Sequence, residues 1–544
     1  MTRIPASGNV AWKDVWPTAA ELMSGARLVI QGPLLLRNPL TPYEANQLLQ
    51  RRLKNRDANF LSVMRDAVYA QATSPIRRLL ELTGCQLGDI EQLVHQHGIE
   101  GTLRILYRDG VYLTLDEFRG RVPIVRGGSS FESSPELLKN PLVRQQFRRS
   151  TGGSRGTSLS AELDLALERH RQSIHLLALD ARGRHARRIA LWKSYDAGMS
   201  GLLIRALSAV SCDRWFCTTL PTGDRIPPRY VWSSRVLRLV GLLGGVQIPR
   251  PEPATLNDPD PIVDWMFQTL CNGETPHLDT TTSAATKVCQ AALRRGVDLR
   301  GAEFMVGGEP FTATRRQALV STGATVVSHY GATESPSMGM GCLAPQEPDE
   351  VHHPHDWSAI IQPDALGPAR GLPPDALLIT TLSPHARLVL VNTSLGDYAK
   401  MTQRACGCPL EALGWHTHLH TIRSFEKLTA AGATFHDADI VRVLDEVLPS
   451  RYGGGPTHYQ LVESESEEGN PRVTLLVDPA VGYVDEQSVA NTFLEEIGQG
   501  VSGHHLMALT WRDGDVLRVE RRTPFATPAG KILHLHAARS PRTS

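Results

Sequence analysis

The chain has 544 residues, with 57 lysines and arginines against 56 aspartates and glutamates; the length predicts two or three domains, and the balanced charge argues against a dedicated nucleic-acid or membrane-surface binder and for a small substrate. Apolar residues make up 41 %, with 46 glycines and 36 prolines, which describes a globular protein rich in turns and excludes a coiled coil or extensive disorder. Eight cysteines are spread along the chain with only Cys406 and Cys408 close together, so a dense disulfide scaffold is excluded and free thiols or a metal site are left. The first residues, MTRIPASGNVAWKDVW, carry no apolar signal core, and runs such as Leu239 to Val246 are too short to span a bilayer. The expectation is a soluble, cytoplasmic protein with neither nucleic acid nor membrane as partner.

Along the chain, apolar residues recur at helical spacing from Ala58 to Leu82, and Cys85 to Tyr107 continues in helical stretches punctuated by Gly88 and Gly98. From residue 150 onward β-rich runs alternate with helices: Ile189 to Trp192, a helix around Leu202 to Val210, Trp215 to Thr219, Glu303 to Val306, a helix through Leu319, and Ala324 to Ser328. Such alternation predicts a largely parallel sheet covered by helices, with ligands bound beyond the carboxyl ends of strands. Two further β-rich runs, Leu377 to Thr381 and Leu388 to Val391, precede Asp397. Beyond Arg423 the pattern becomes that of a small α/β unit: a helix from Ala438 to Leu448, strands His458 to Val462 and Arg472 to Val477, a helix from Asp485 to Ile497 and a terminal strand.

Five stretches carry chemistry, in a definite order. The first, Ser150 to Ser158 (STGGSRGTS), suits a solvated linker and equally a ring of backbone N–H donors around phosphates. Then come Val306-Gly307-Gly308-Glu309-Pro310, the stretch Tyr330-Gly331-Ala332-Thr333-Glu334 after a β-rich run, Leu395-Gly396-Asp397, and Thr527-Pro528-Ala529-Gly530-Lys531. In the third, an aromatic ring can stack on a flat base, a hydroxyl can donate to a phosphate and a carboxylate can hold a hard cation, although a strand-to-helix turn with a capping Thr and a surface Glu would read the same. Lys531 after Pro-Ala-Gly could equally be a solvated turn residue, and Asp397 could cap a turn.

Taken together in that order, the five stretches resemble those of the adenylate-forming superfamily of acyl-CoA synthetases, peptide-synthetase adenylation domains and luciferases. Within it, Ser74 to Leu80, Arg300 to Pro310, Cys406-Gly407-Cys408 and Thr457 to Leu461 resemble the phenylacetate-CoA ligase and coenzyme F390 synthetase branch, over about residues 58 to 536. The resemblance implies an α/β fold with a large adenylate-forming domain at 58–423, whose parallel-rich sheets are covered by helices. A small mobile α/β domain at 424–544 would carry the catalytic lysine, and residues 1–57 would form an N-terminal extension. It implies an ATP-dependent, AMP-forming ligase that activates a small carboxylic acid and passes it to a thiol, CoA or the phosphopantetheine of a carrier protein. By the same resemblance Ser150, Thr151, Gly152 and Ser154 would contact pyrophosphate, and Gly308, Glu309 and Pro310 would line the adenine pocket. Tyr330 would stack on adenine beside Gly331, Thr333 would touch the α-phosphate, Glu334 would hold Mg²⁺, Asp397 would accept from the ribose diol and Lys531 would bridge carboxylate and α-phosphate. Arg423 would open the hinge.

The chain departs from the family at several of these positions. Arg155 stands where relatives carry glycine and would add a positive charge beside the polyphosphate. Phe425 occupies the first acidic position after the hinge arginine, and Asn392 to Gly396 lack the arginines usual before the aspartate. These departures keep two other readings open, an amine, hydroxyl or unusual oxyanion in the second step, and a non-catalytic nucleotide binder; retention of Lys531 and Glu334 speaks against the latter. Cys342, Cys406 and Cys408 with a histidine from His352-His353-Pro354-His355, His353 standing for the group, form a candidate structural Zn²⁺ site or, equally, buried thiols beside solvated histidines. His416, His418 and His420 alternate with Trp415, Thr417 and Leu419 and read as the solvated face of a strand. The expected walls of the acyl pocket are the stretch from Trp192 to Leu203 and the surroundings of His329 and Met338; Trp192, Tyr195 and Met199 favour a flat or apolar acyl group, though they would also suit an ordinary core.

Overall fold

The structure, a computed structural model, describes residues 19–143, 147–150, 160–163, 165–183, 187–208, 210–218, 228–364, 367, 371–425, 428–430, 433–435, 437–465, 471–498, 517–527 and 529–537. Its centre is a 12-stranded sheet with two halves of different character. In one half the strands Thr325–Tyr330, Glu303–Gly307, Thr275–Thr281, Arg187–Lys193, Arg214–Cys217 and Pro251–Pro253 lie side by side and run parallel. Their near-continuous apolar runs, such as Ile189 to Trp192, are what a strand buried on both faces requires. Helices cover this half, including Leu165–Asp180, Tyr195–Ala206, Pro228–Gly244 and Thr282–Arg294, and one core packs Trp192, Phe216, Phe304 and Leu319 between strand and helix.

The other half is antiparallel and continues through Gly339–Gly341, Val351–His352, Thr417–Ser424, Thr393–Gln403, Ala376–Thr381 and Ser358–Ile361. Its core is shared with the helical front end. There the stretch read as continuous from Ala58 divides into Arg56–Val63, a π turn Met64–Tyr69 and Pro75–Leu82, because Ser74 caps a new helix with Pro75 in its first turn. The helix Leu87–Arg108 has its one non-helical backbone position at Gly98. Leu388 forms only an isolated bridge to Lys139, so the β-rich run Leu388 to Val391 is buried loop, not strand. Ahead of this front end, helices Ala19–Leu36 and Pro42–Lys54 pack onto the large body. Leu40 N donates to Leu207 O, and Arg52 is buried with Nε 2.7 Å from Asp356 Oδ2.

A separate 4-stranded sheet, in the order Leu517–Arg521, Pro471–Val477, Tyr459–Glu465 and Leu535–Ala537, packs against helix Glu486–Gly498 around Leu461, Leu475, Val489 and Phe493. It is joined to the large body by a buried cluster of charge. Arg315, in helix Ala313–Val320, places Nε 2.7 Å from Asp445 Oδ2, and His534 Nε2 lies 3.0 Å from the other carboxylate oxygen. Burial alone would raise the Asp445 pKa, but Arg315 and His534 hold that carboxyl well below its ordinary range. Among the described residues no helix is long and apolar enough to cross a membrane.

Candidate functional site

The parallel strands deliver the expected turns to one end of the sheet. Strand 303–307 runs into Gly308, whose φ of +78° an L side chain rarely adopts. A Cβ there would also come within 3.2 Å of Lys531 Nζ. Lys531 reaches this point from the small unit on a tight turn in which Thr527 N donates to Lys531 O and Lys531 N to Thr527 Oγ1. Gly530, at φ +75°, lets that turn approach the body so closely that a Cβ would lie 2.7 Å from Thr218 Cγ2. Thr281 Oγ1, at the carboxyl end of its strand, donates to Gly530 O across the gap. The ammonium of Lys531 is therefore held against the glycine turn, although 223 residues separate Lys531 from Gly308 in the chain.

Next to it, Tyr330 Oη donates to Asp397 Oδ2 at 2.9 Å. Burial, then the charge of Asp397, pushes the Tyr330 phenol well above its ordinary pKa, so it stays a donor. Asp397 is the register partner of Ser424 and Tyr398 that of Arg423, so the two stretches lie on neighbouring strands. Arg423 Nη1 bonds Asp349 Oδ2 at 2.8 Å, and Asp349 also accepts from the backbone N–H groups of Thr421 and Ile422. Phe425 N donates to Gly396 O, so the chain leaves strand 417–424 zipped to the Asp397 turn. The missing arginines before Asp397 have a physical explanation. Asn392 is buried and gives its amide to Leu103 O and Val111 O, and Thr393 and Ser394 are buried as well. That segment braces the core and has no room for a long cation.

Other expected residues sit differently. Glu309 turns its carboxylate to Ser283, accepting from Ser283 N at 2.8 Å and Oγ at 2.7 Å, so only the backbone of Gly308 to Pro310 can face a ligand with the side chain so occupied. Thr333 is exposed and Glu334 half-buried beside it; Arg387 Nη2 donates to Thr333 O. Gly331 packs against Ser337 N. Ser150 ends strand Phe147–Ser150, whereas Thr151, Gly152, Ser154 and Arg155 lie outside the described residues. Trp192 and Tyr195 are core residues, the indole N–H donating to Ala254 O and the phenol lying 3.1 Å from Ser233 Oγ. They do not offer a flat wall to an acyl group.

Behind Tyr330 lies His329, expected as part of the acyl pocket's wall, with neighbours that sequence reasoning did not assemble around it. His329 and His175 are half-buried with ring centroids 5.1 Å apart, and His175 Nε2 lies 2.8 Å from Ser337 Oγ. Burial pushes the pKa of His329 down to about 4 and that of His175 well below its usual value. Beside them Lys193 Nζ is 2.8 Å from Asp279 Oδ1, and Arg205 bonds Oδ2 of the same carboxylate. The only signal in the sequence was four polar residues at scattered positions in apolar runs, which periodicity alone does not assemble.

In the antiparallel half, Cys342, His352, Cys406 and Cys408 converge, their ligand atoms all within 4.8 Å of one another. His352 Nε2 lies 3.2 Å from Cys408 Sγ and 3.6 Å from Cys406 Sγ, close to the edge of about 3.6 Å that tetrahedral Zn–S and Zn–N bonds subtend. Its Nδ1 lies 2.6 Å from Trp415 O, which orients Nε2 toward the thiols as the outer partner of a metal-bound histidine does. The donor set fits a closed Cys₃His zinc site. His353 is not part of it: its Nδ1 and Nε2 are each 2.9 Å from a backbone carbonyl, of Met338 and Ser358, because adjacent residues on an extended strand point to opposite faces. Nor does His418 face solvent. It is buried, with its ring 4.1 Å from that of His352 and Nδ1 2.7 Å from Glu350 Oε1.

No protein-family model and no curated protein matches the chain. Among solved structures it is similar to a 2-hydroxyisobutyryl-CoA ligase in the postadenylation state in complex with 2-HIB-AMP, with a TM-score of 0.51 and 14 % identity over 89 % of each chain. The same ligase in complex with R3-HIB-AMP gives a TM-score of 0.50 and 15 % identity, again over 89 % of each chain. At such identity the likeness is one of fold: a large α/β body with a multi-stranded sheet followed by a small α/β unit, the two-domain fold of adenylate-forming enzymes.

Proposed function

We propose that the protein is an AMP-forming ligase that joins a small carboxylic acid to ATP as an acyl-adenylate and then passes the acyl group to a thiol, either CoA or a carrier-borne phosphopantetheine. The observation that carries this reading is the ammonium of Lys531 held against Gly308, on the same sheet end as the Tyr330–Asp397 hydrogen bond. Attack of a carboxylate oxygen on the α-phosphorus gathers negative charge on the phosphate oxygens. A preorganised ammonium in a site closed by the small unit stabilises that charge without solvent reorganisation. Tyr330 offers its ring to adenine, and Asp397 can accept from the ribose diol in place of the tyrosine hydroxyl. The backbone of Gly308 to Pro310 borders the base. Thr333 is the residue to touch the α-phosphate, and Ser150, Thr151, Gly152, Ser154 and Arg155 would meet the leaving pyrophosphate. Glu334 is the residue to hold Mg²⁺, which would supply charge neutralisation between the phosphates.

The second step calls for the small unit to turn about Arg423. Domains at 58–423 and 424–544 are the natural division for that motion, and Arg315, Asp445 and His534 would hold the adenylating pose until it occurs. The Cys₃His set would carry a structural zinc that ties strands 339–341 and 351–352 to the loop following strand 393–403, away from the chemistry.

The test is acid-dependent exchange of labelled pyrophosphate into ATP across a panel of carboxylic acids. Lys531→Ala should reduce exchange by about a hundredfold or more while leaving the melting temperature unchanged. Absence of exchange with every acid, or exchange indifferent to Lys531→Ala, would sink the reading. With an active acid in hand, comparison of CoA, a phosphopantetheinylated carrier and simple amines identifies the acceptor.

A further inference from the structure

Behind Tyr330 the parallel strands present Lys193, Asp279, Gly307 and His329 on one face, and this strip buries more positive than negative charge. Among the described residues Asp279 is the single carboxylate serving both Lys193 and Arg205, and Arg171 on the covering helix is matched only by Glu168 of the same helix. Burial by itself would raise the Asp279 pKa, yet the two cations hold it well below the carboxylate range, so it remains an anion shared between them. The side chains of Arg205 and Asp279 are 11 % and 10 % exposed, whereas that of Lys193 is 30 % exposed and so is open to a ligand. In the same strip His329 Nε2 is buried with no hydrogen-bond partner among the described residues. Leaving such a group unsatisfied costs a fold its desolvation with nothing in return. Ser337, whose hydroxyl lies against His175 Nε2, sits at φ +64°, a strained conformation for a residue with a side chain. A surplus cation, a bare imidazole nitrogen and a strained backbone converge on one place, and one anion would answer the first two.

The position of this strip relative to Lys531 follows from register. Gly307 pairs with His329, and the next residue, Gly308, is the one that meets Lys531 Nζ. An acid whose carboxylate lies at Lys531 therefore directs its other end toward His329 and Lys193.

We propose that the acid carries a second anionic group, a carboxylate being the simplest, received by His329 Nε2–H and Lys193, so that the substrate class is dicarboxylic or similarly anion-bearing acids. This rests on the ligase reading for the fate of the first carboxylate, and the two can fail separately. Calorimetric titration of the full chain would compare succinate, glutarate, adipate and phthalate with butyrate, pentanoate, hexanoate and benzoate. At least one diacid is expected to bind tenfold or more tighter than its matched monoacid, and His329→Leu, or His329→Asn should the first variant melt early, removes that preference, as does Lys193→Met. If every diacid binds no better than its monoacid, or the preference survives both substitutions, the inference is overturned. Pyrophosphate exchange on the same samples separates the two ideas. A diacid that binds with His329-dependent preference but drives no exchange upholds the anion site and counts against the ligase reading. Exchange driven by monoacids alone does the reverse.

Discussion

In the antiparallel half of the large sheet, His353 is enclosed so that each ring nitrogen lies 2.9 Å from a backbone carbonyl. In the parallel half, His329 is half-buried, yet its Nε2 is shut off from solvent and meets no partner among the described residues. Burial pushes both rings to a pKa of about 4, so ionisation does not tell them apart. What separates them is whether the described residues supply an acceptor for the ring's N–H. The same contrast extends outward: around His353 and His352 the partners are backbone carbonyls and thiols, whereas around His329 the cations outnumber the carboxylates among the described residues. Satisfied polar groups stabilise a fold, and unsatisfied ones point to something that binds.

The contrast can be broken in order of expected effect. The largest change should come from Arg315→Ala, which strands the buried Asp445 beside His534 at the junction of the small unit with the body. Breaking a buried pair in this way costs about 3–5 kcal/mol. The expected outcome is early proteolytic release of the small unit together with loss of exchange, and cleavage kinetics unchanged from wild type would refute the latch. Next, elemental analysis of the purified chain should find one zinc per molecule, and Cys408→Ser should weaken retention at least about a hundredfold, roughly 2.8 kcal/mol at 1.4 kcal/mol per tenfold. Zinc-free protein of full thermal stability would show that the four donors merely pack together.

His353→Leu and His329→Leu then test the central contrast directly. The first leaves a buried carbonyl without the single N–H that the neutral ring can give it and should lower stability by about 1–3 kcal/mol in denaturant unfolding. The second removes a nitrogen that had no partner and should leave stability within about 0.5 kcal/mol of wild type or raise it, the behaviour of a residue kept for binding. Equal losses would erase the distinction. The mildest effect concerns pH. His329 titrates near 4 in the fold against about 6.5 in the unfolded chain, so between those values the unfolded state binds more protons. Stability should be full above about pH 6.5 and decline as the pH falls toward 4. Asp445, whose folded pKa is depressed, adds a further loss below its unfolded value of about 3.9. A melting temperature flat from pH 6.5 to 4 would show that the buried histidines charge freely in the fold.

Much of the architecture was legible in the sequence because it depends on local pattern. Glycine turns after apolar runs placed Gly308 and Tyr330 at strand ends, and the switch in pattern after Arg423 announced a second α/β unit. Leu388 to Val391 misled because an apolar run in a buried loop has the same composition as a strand, and only the bridge to Lys139 shows which it is. His353 was the wrong histidine because the two neighbours are chemically identical and only the facing of the strand assigns one to the thiols. Trp192 and Tyr195 were read toward the acyl group because an aromatic residue looks alike in a core and in a pocket wall.

By itself, the order of residues determined where the chain turns, which segments bury both faces, and which side chains are able to do chemistry, since backbone preference and hydrophobic period act over a few residues. The tertiary structure alone decided that Lys531 meets Gly308, that Asn392 braces a core where a cation would otherwise stand, and that Lys193, Asp279, Arg205 and His329 share one strip. Those outcomes depend on register between strands and on which buried groups find partners, and both are set by contacts between segments hundreds of residues apart.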